Sequence, residues 1–165
     1  MYISGINYES IVDGEGVRAV IFISGCKHNC PHCQSPQTHS FTYGKEVTPA
    51  FIAEIKSEIN KRPFLSGITL SGGDCMFSPS ETIELIQSLD IPNNNIWCFT
   101  GFTFEEILND AEKRKLLKYI DVLVDGKFDY AKRDITLLFR GSSNQRLIDV
   151  QSSLKENKTI LWQNS

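Results

Sequence analysis

Three cysteines stand close together in the run Gly25-Cys26-Lys27-His28-Asn29-Cys30-Pro31-His32-Cys33. Their spacing is C-x3-C-x2-C, just after an apolar, strand-like stretch. Thiolates this near in sequence can be aimed into one small space. Three are one short of the usual closed four-ligand site. They suit a four-iron cluster with one iron left open for chemistry. Spacing alone leaves two other readings open. One is a structural zinc site that takes His28 or His32 as its fourth ligand. The other is a set of unrelated thiols in a loop. Gly25 and Pro31 help to bend the backbone around such a site without choosing the metal.

Other candidate groups follow turn by turn. In Ser71-Gly72-Gly73-Asp74 the paired glycines let a ligand approach the backbone closely, and Asp74 is a candidate acceptor for an ammonium. An ordinary strand-to-helix turn is the plainer account of the same residues. Thr100-Gly101 and Asp125-Gly126-Lys127-Phe128 are candidate nucleoside contacts, with turn formation as the alternative. In Arg140-Gly141-Ser142-Ser143-Asn144-Gln145-Arg146, the two arginines offer guanidinium groups for a carboxylate and the residues between them offer neutral hydrogen bonds. A solvated loop would have the same composition. Arg18 is read as reaching an anion from its strand or as pairing with an acid. Cys98 reads as a core residue, since free cysteine is often buried, and Cys75 is read as structural. His39 has no evident partner.

These groups need elements to position them. Val17–Ser24 is β-rich and apolar, preceded by the turn Asp13-Gly14-Glu15-Gly16, and predicts a buried strand. Thr48 is a good N-cap and Pro49 suits a first helical turn. Phe51, Ile55 and Ile59 then form an apolar stripe. Gly67–Leu70 predicts the next strand. Ser78-Pro79-Ser80-Glu81 has the pattern of a capping box opening a second helix. Asn95–Phe99 predicts a strand, and Thr103 is expected to cap a helix running to about Lys118. Asp121–Val124 predicts another strand. Ile135–Phe139 and Leu147–Val150 are further candidates, the latter on an edge, and Asn157–Ser165 is expected to be a final strand or a tail. Strand–helix–strand alternation with short turns predicts an α/β fold with a mostly parallel sheet. The candidate site residues fall just after strands, where open α/β folds bind ligands.

The 165 residues fit a single domain, residues 1–165, with a real core. They are too few for a complete eight-fold barrel of about 250 residues. A net charge of −3, from 17 basic and 20 acidic residues, gives no electrostatic case for a nucleic-acid binder. No apolar run approaches the roughly 18 residues that cross a membrane, and the N-terminus lacks the basic and apolar regions of a signal peptide. Five cysteines are an odd number, and three of them are tightly grouped. That fits a disulfide framework poorly and a reducing cytoplasm well.

With these residues laid out, the chain resembles the radical S-adenosylmethionine superfamily, through Cys26-x3-Cys30-x2-Cys33 and Gly72-Gly73. More closely, it is similar to the activating proteins of anaerobic (class III) ribonucleoside-triphosphate reductase. The segments that carry this likeness are Asp13–Arg18, Phe22–Cys26, Leu70–Asp74, Asp121–Gly126 and Arg140–Arg146. The resemblance implies a single-domain incomplete (partial) β/α barrel of mostly parallel strands. It implies a [4Fe-4S] cluster on Cys26, Cys30 and Cys33, and S-adenosylmethionine bound at the open iron. Ser71, Gly72, Gly73 and Asp74 would cradle its methionyl ammonium, and His32 would pack on its adenine. Thr100, Gly101, Asp125 and Arg140 would complete the cofactor site. The implied reaction is reductive cleavage of S-adenosylmethionine to a 5′-deoxyadenosyl radical, which forms a glycyl radical on the large reductase subunit. The implied partners are that subunit and an electron donor such as flavodoxin.

Two departures from the superfamily pattern stand out. His32 replaces an aromatic residue common before the third cysteine, and Asp74 stands where glutamate is frequent. Two rival readings are distinct in class. One is a radical enzyme acting on another glycyl-radical protein or on a small molecule. The other is a zinc-stabilised interaction module.

Overall fold

The computed structural model describes residues 1–91 and 95–163. Four parallel strands form its centre: β2 (Arg18–Ile23), β4 (Gly67–Gly72), β5 (Ile96–Phe99) and β6 (Val122–Asp125). Antiparallel strands flank them: β1 (Tyr2–Ser10) and the short β3 (Lys45–Glu46) on one side, β7 (Arg146–Asp149) on the other. The sheet order is β3-β1-β2-β4-β5-β6-β7, and the outermost strands β3 and β7 do not pair with each other, as in a partial barrel.

Each parallel step is bridged by helix. α1 (Pro49–Asn60) links β2 to β4 by way of β3, and α2 (Pro79–Leu89) links β4 to β5. α3 (Phe104–Leu108) and α4 (Ala111–Leu117) link β5 to β6, and α5 (Val150–Glu156) follows β7. Thr48 caps α1 as predicted, accepting from the Phe51 N–H at 3.2 Å. The stripe Phe51, Ile55, Ile59 is buried against the sheet. Among the described residues, no helix is long and apolar enough to cross a membrane.

Strand alternation divides the core in two. Ala19, Ile21 and Ile23, then Ile68 and Leu70, then Ile96 and Cys98, then Leu123, face the helices. The opposite face carries Trp97, Val122 and Val124, on which Phe99, Phe139 and Trp162 pack. Trp97 meets Phe139 and Trp162 edge-on, at ring-centroid distances of 5.2 and 5.0 Å. Two of these three rings come from outside the sheet, so a loop and the tail fill the space that further strands would occupy in a closed barrel.

Several expectations are corrected. β1 was not anticipated. Gly5 interrupts its apolar pattern, and its pairing with β2 is irregular on either side of Gly5–Asn7. Ser78 precedes α2 but makes no side-chain cap, and Glu81 instead pairs with the chain's amino group at 2.8 Å. A complete capping box occurs at Thr103 and Glu106. The single helix predicted to Lys118 is two, because the Asp110 carboxylate accepts from the Glu112 and Lys113 N–H groups and starts α4 afresh.

Ile135–Phe139 is not a strand. Asp134 closes a turn onto Thr136, Ile135 is exposed, and Phe139 takes a left-handed φ of 54° that swings its ring onto Trp97. The tail forms one bridge, Leu161 to Ile148, rather than a strand. Asn164 and Ser165 lie outside the described residues.

Arg18 makes no ion pair with a carboxylate among the described residues, and its donors go to neutral oxygens. It is 1% exposed. Its Nε donates to Thr69 Oγ1 at 2.9 Å, and its Nη2 donates to the Ile68 and Asn95 carbonyls at 2.7 and 2.8 Å. Its guanidinium lies 5.4 Å from the Trp97 ring centroid. Burial lowers its pKa to about 10, opposed through space by Asp121 and Glu15. Replacing it leaves several buried acceptors without donors. Arg18→Met is therefore expected to lower the unfolding free energy of the metal-free protein by about 2–4 kcal/mol. Urea denaturation followed by tryptophan fluorescence checks this, and Arg18→Lys should recover part of the loss.

Candidate active site at the carboxyl ends of the parallel strands

The inner face of the sheet ends in a rung of Phe22, Ser71 and Phe99, one residue from each of β2, β4 and β5, and all three line one cavity of about 430 Å³. Cys26, Cys30 and Cys33 border the same space, as do Gly72, Gly73, Asp74, Thr100, Gly101 and Arg140. The topology thus gathers groups that are distant in sequence.

The cysteine loop turns tightly because Asn29 and His32 adopt left-handed φ values of 50° and 57°, and the Cys33 N–H donates to the Cys30 carbonyl at 3.2 Å. Its base is strapped to the glycine turn. The Gly73 N–H donates to the Ile23 carbonyl at 2.6 Å, and the Asp74 N–H donates to the Gly25 carbonyl at 3.0 Å. A Cβ at Gly73 would lie 2.8 Å from the Gly25 carbonyl oxygen, so this contact needs glycine.

All three thiols are half-buried. Burial pushes Cys26 up to about 11, with the Asp74 charge adding to it, and raises Cys30 as well. Ligation by a metal, which needs thiolates, must therefore release protons.

The two imidazoles nearest the cysteines make different contacts. His28 Nε2 lies 2.8 Å from Asp74 Oδ2, and the exposed His32 ring packs 4.3 Å from Tyr130. His32 is exposed and is not among the residues that line the cavity.

Asp74 also differs from expectation. Its Oδ2 accepts from Thr100 Oγ1 at 2.8 Å and from the Gly101 N–H at 2.9 Å, besides facing His28. Its Oδ1 accepts from the Met76 N–H at 2.9 Å. Oδ2 is thus fully used by the protein, while Oδ1 accepts one hydrogen bond and keeps a second acceptor position.

Asp125 is likewise committed. It is buried, accepts from the Phe104 N–H at 2.8 Å and pairs with Arg146. It borders a neighbouring polar cleft and not the main cavity. Arg146 also chelates Glu105, at 3.1 and 2.7 Å, so it has no free edge for a ligand carboxylate. Arg140 does: it lines the cavity, and its Nε is buried with no hydrogen-bond partner among the described residues. Gln145 holds this loop in place, accepting from the Gly141 N–H and donating to the Gly126 carbonyl, both at 3.0 Å.

The sequence reading missed several lining residues, including Val12, Gln34, His39 and Leu137. None carries a local signal of its own; the fold alone brings them to the mouth. Cys75 and Cys98 take no part in the cavity lining. They are fully buried with their sulfurs 3.1 Å apart, and that contact together with burial raises the Cys75 pKa.

The residues fit a cluster with an open iron. Three thiols border a cavity that continues to the half-buried backbone at Gly72-Gly73 and to Arg140, whose Nη1 donates to the Gln145 carbonyl at 3.2 Å while its Nε has no partner among the described residues. Comparison with known proteins agrees. The 4Fe-4S single cluster domain family matches residues 12–148. The chain is 38% identical over 141 residues to the anaerobic ribonucleoside-triphosphate reductase-activating protein of Pasteurella multocida, covering 82% of this chain and 89% of that one. The protein of the same name from Escherichia coli K12 is 37% identical over 140 residues, 82% and 90% of the two chains. That of bacteriophage T4 is 34% identical over 151 residues, 86% and 93%.

Two outcomes are expected from this geometry. In anaerobic, metal-free protein, iodoacetamide should label Cys26, Cys30 and Cys33 and spare Cys75 and Cys98 until the chain is unfolded. The rate at Cys26 should rise about a hundredfold from pH 8 to pH 10, because its thiolate fraction grows tenfold per pH unit below its pKa; peptide mass mapping reads both. Separately, Arg146 holds the Glu105 carboxyl at about 2, below its ordinary 4.5. A lowered folded pKa stabilises fully above the unfolded value and is lost as pH falls. Glu105→Gln should therefore be less stable than the parent above about pH 4.5, with the gap closing toward pH 2 in acid titrations of the metal-free protein.

Proposed function

The chain belongs to the family of anaerobic ribonucleoside-triphosphate reductase-activating proteins, and from that premise we propose that it cleaves S-adenosylmethionine to install a glycyl radical on the large subunit of such a reductase. The observation that carries this reading is the sharing of one open cavity by the three cysteine thiols and the Gly72-Gly73 turn. Cys26, Cys30 and Cys33 would hold a [4Fe-4S] cluster. When bound, that cluster supplies one electron to the sulfonium, so that the S–C5′ bond breaks to methionine and a 5′-deoxyadenosyl radical.

The chain's own residues bind, orient and shelter. Backbone groups of Ser71, Gly72 and Gly73 offer acceptors for the methionyl ammonium, beside an Asp74 side chain whose Oδ2 is already taken up by the protein. Arg140 offers its unpartnered Nε to the methionyl carboxylate. Thr100 and Gly101 bound the nucleoside side. Phe22, Phe99 and Phe128 wall the space with apolar surface, which excludes water from a reactive primary radical.

The cavity opens at the carboxyl ends of the strands, where exposed Val12 stands at its mouth and Leu137 lines it. A glycine-bearing loop of a protein substrate can enter there and complete the enclosure. An external one-electron donor is required, for which a flavodoxin is suited, and a reducing cytoplasm suits both the cluster and the thiols.

Anaerobically reconstituted protein should give a reduced [4Fe-4S] paramagnetic resonance signal that changes shape on adding S-adenosylmethionine. It should also release 5′-deoxyadenosine when supplied with the large subunit and a reductant. Cys30→Ala should abolish both. A sample that binds zinc and yields no iron–sulfur signal would sink this reading.

A further inference from the structure

His28 stands between two of the cysteines yet belongs to no ligand set in the reading above. Its side chain is 7% exposed. Its ring packs against Phe77 and Phe102, at centroid distances of 5.0 and 4.6 Å. Its Nε2 faces Asp74 Oδ2 at 2.8 Å, and since a carboxylate only accepts, that nitrogen carries the hydrogen. Gly101 lies against the same ring: a Cβ there would come within 2.4 Å of His28 Cδ2. One carboxylate therefore joins three segments. They are the cysteine loop through His28, the end of β5 through Thr100 and Gly101, and the glycine turn through Asp74 itself.

We infer that His28 is a positioning residue: through Asp74 it locks the loop carrying Cys26 and Cys30 to the glycine turn, and so fixes where the cluster stands relative to the amino-acid end of S-adenosylmethionine. The identity of those two groups rests on the function proposed above; the lock between the segments does not. Asp74 acts here as the hub of the lock through Oδ2, which already takes three contacts from the protein. His28 touches neither reacting atom. Its effect is carried by the distance and angle between two surfaces of the cavity, to which bond cleavage is sensitive.

Two measurements on the full chain test this. In the metal-free protein, His28→Leu fills the space between the phenylalanines but donates no hydrogen bond. Amide exchange across residues 26–33 and at Gly101 should then speed up by about tenfold, and His28→Gln, whose amide can donate again, should stay within about threefold of the parent. In anaerobically reconstituted protein, His28→Leu should keep the parent's iron and sulfide content. It should bind S-adenosylmethionine about tenfold more weakly and show a reduced cofactor-induced change in the paramagnetic resonance signal, with both restored in His28→Gln.

Unchanged exchange in His28→Leu overturns the lock, whatever the cofactor response, since any effect on the cofactor would then be direct contact. Faster exchange with a parent-like cofactor response overturns the positioning role. If His28→Leu and His28→Gln both fail to hold the cluster, the imidazole is a ligand or a folding residue and the inference falls. Gly101→Ala keeps His28 and Asp74 but displaces the ring, so it must reproduce the exchange pattern of His28→Leu; a parent-like pattern there also overturns the lock. A parent protein whose cluster ignores S-adenosylmethionine would count against the proposed function, with the exchange data still deciding the lock.

Discussion

The Asp74 carboxylate is the constraint on which the site's geometry depends. It is buried, and it takes four contacts from the protein itself: His28 from the cysteine loop, Thr100 and Gly101 from the end of β5, and Met76 from the turn that follows. A buried charge is costly unless it is hydrogen-bonded on all sides. That cost makes the arrangement selective, because a loop that drifts away leaves the charge unsatisfied. Small polar residues and glycines around it are explained by the same requirement. Thr100 supplies a hydroxyl without bulk, and Gly101 leaves room for the His28 ring.

The parallel centre of the sheet does the remaining positioning. Parallel strands send all their carboxyl ends to one side, so the loops after β2, β4, β5 and β6 meet there whatever their separation in sequence. Beneath the cavity, Arg18 and the cluster of Trp97, Phe139 and Trp162 fill the inner face of the sheet. Arg18 spends its charge on neutral oxygens rather than on a carboxylate, which ties β2 to β4 and to the entry of β5. The sheet, whose outermost strands do not pair with each other, leaves a mouth that the chain does not close. Such a mouth is a liability for a small-molecule enzyme that makes radicals, and it is a requirement for one whose substrate is another protein's backbone.

Charge pairing outside the cavity explains why some plausible ligand groups are unavailable. Arg146 and Asp125 read in sequence as a possible carboxylate binder and a possible nucleoside contact. In the fold they pair with each other, and Glu105 completes the set. Arg140, only a few residues away, lines the cavity and keeps a buried Nε with no partner among the described residues. Two arginines of one loop thus serve opposite ends, one anchoring β7 to β6 and one facing the cavity.

Much of this protein was legible in the sequence. The cysteine spacing, the glycine pair after a strand and the βαβ alternation depend on near neighbours, so local chemistry fixes them. Thr48, Pro49 and the Phe51, Ile55, Ile59 stripe specify α1 for the same reason. Other elements escaped because their cause is distant. β1 is held by irregular pairing to β2 and not by its own pattern, and Ile135–Phe139 is bent out of a strand by the Asp134 turn and the pull of Phe139 toward Trp97. At the site, the residue types present were set by sequence, and their roles by the fold. Asp125 and Arg146 carry suitable chemistry for a cofactor, but they pair with each other, and what a side chain can offer a ligand is what its neighbours leave free. Those neighbours, tens of residues away along the chain, are chosen only when the sheet assembles.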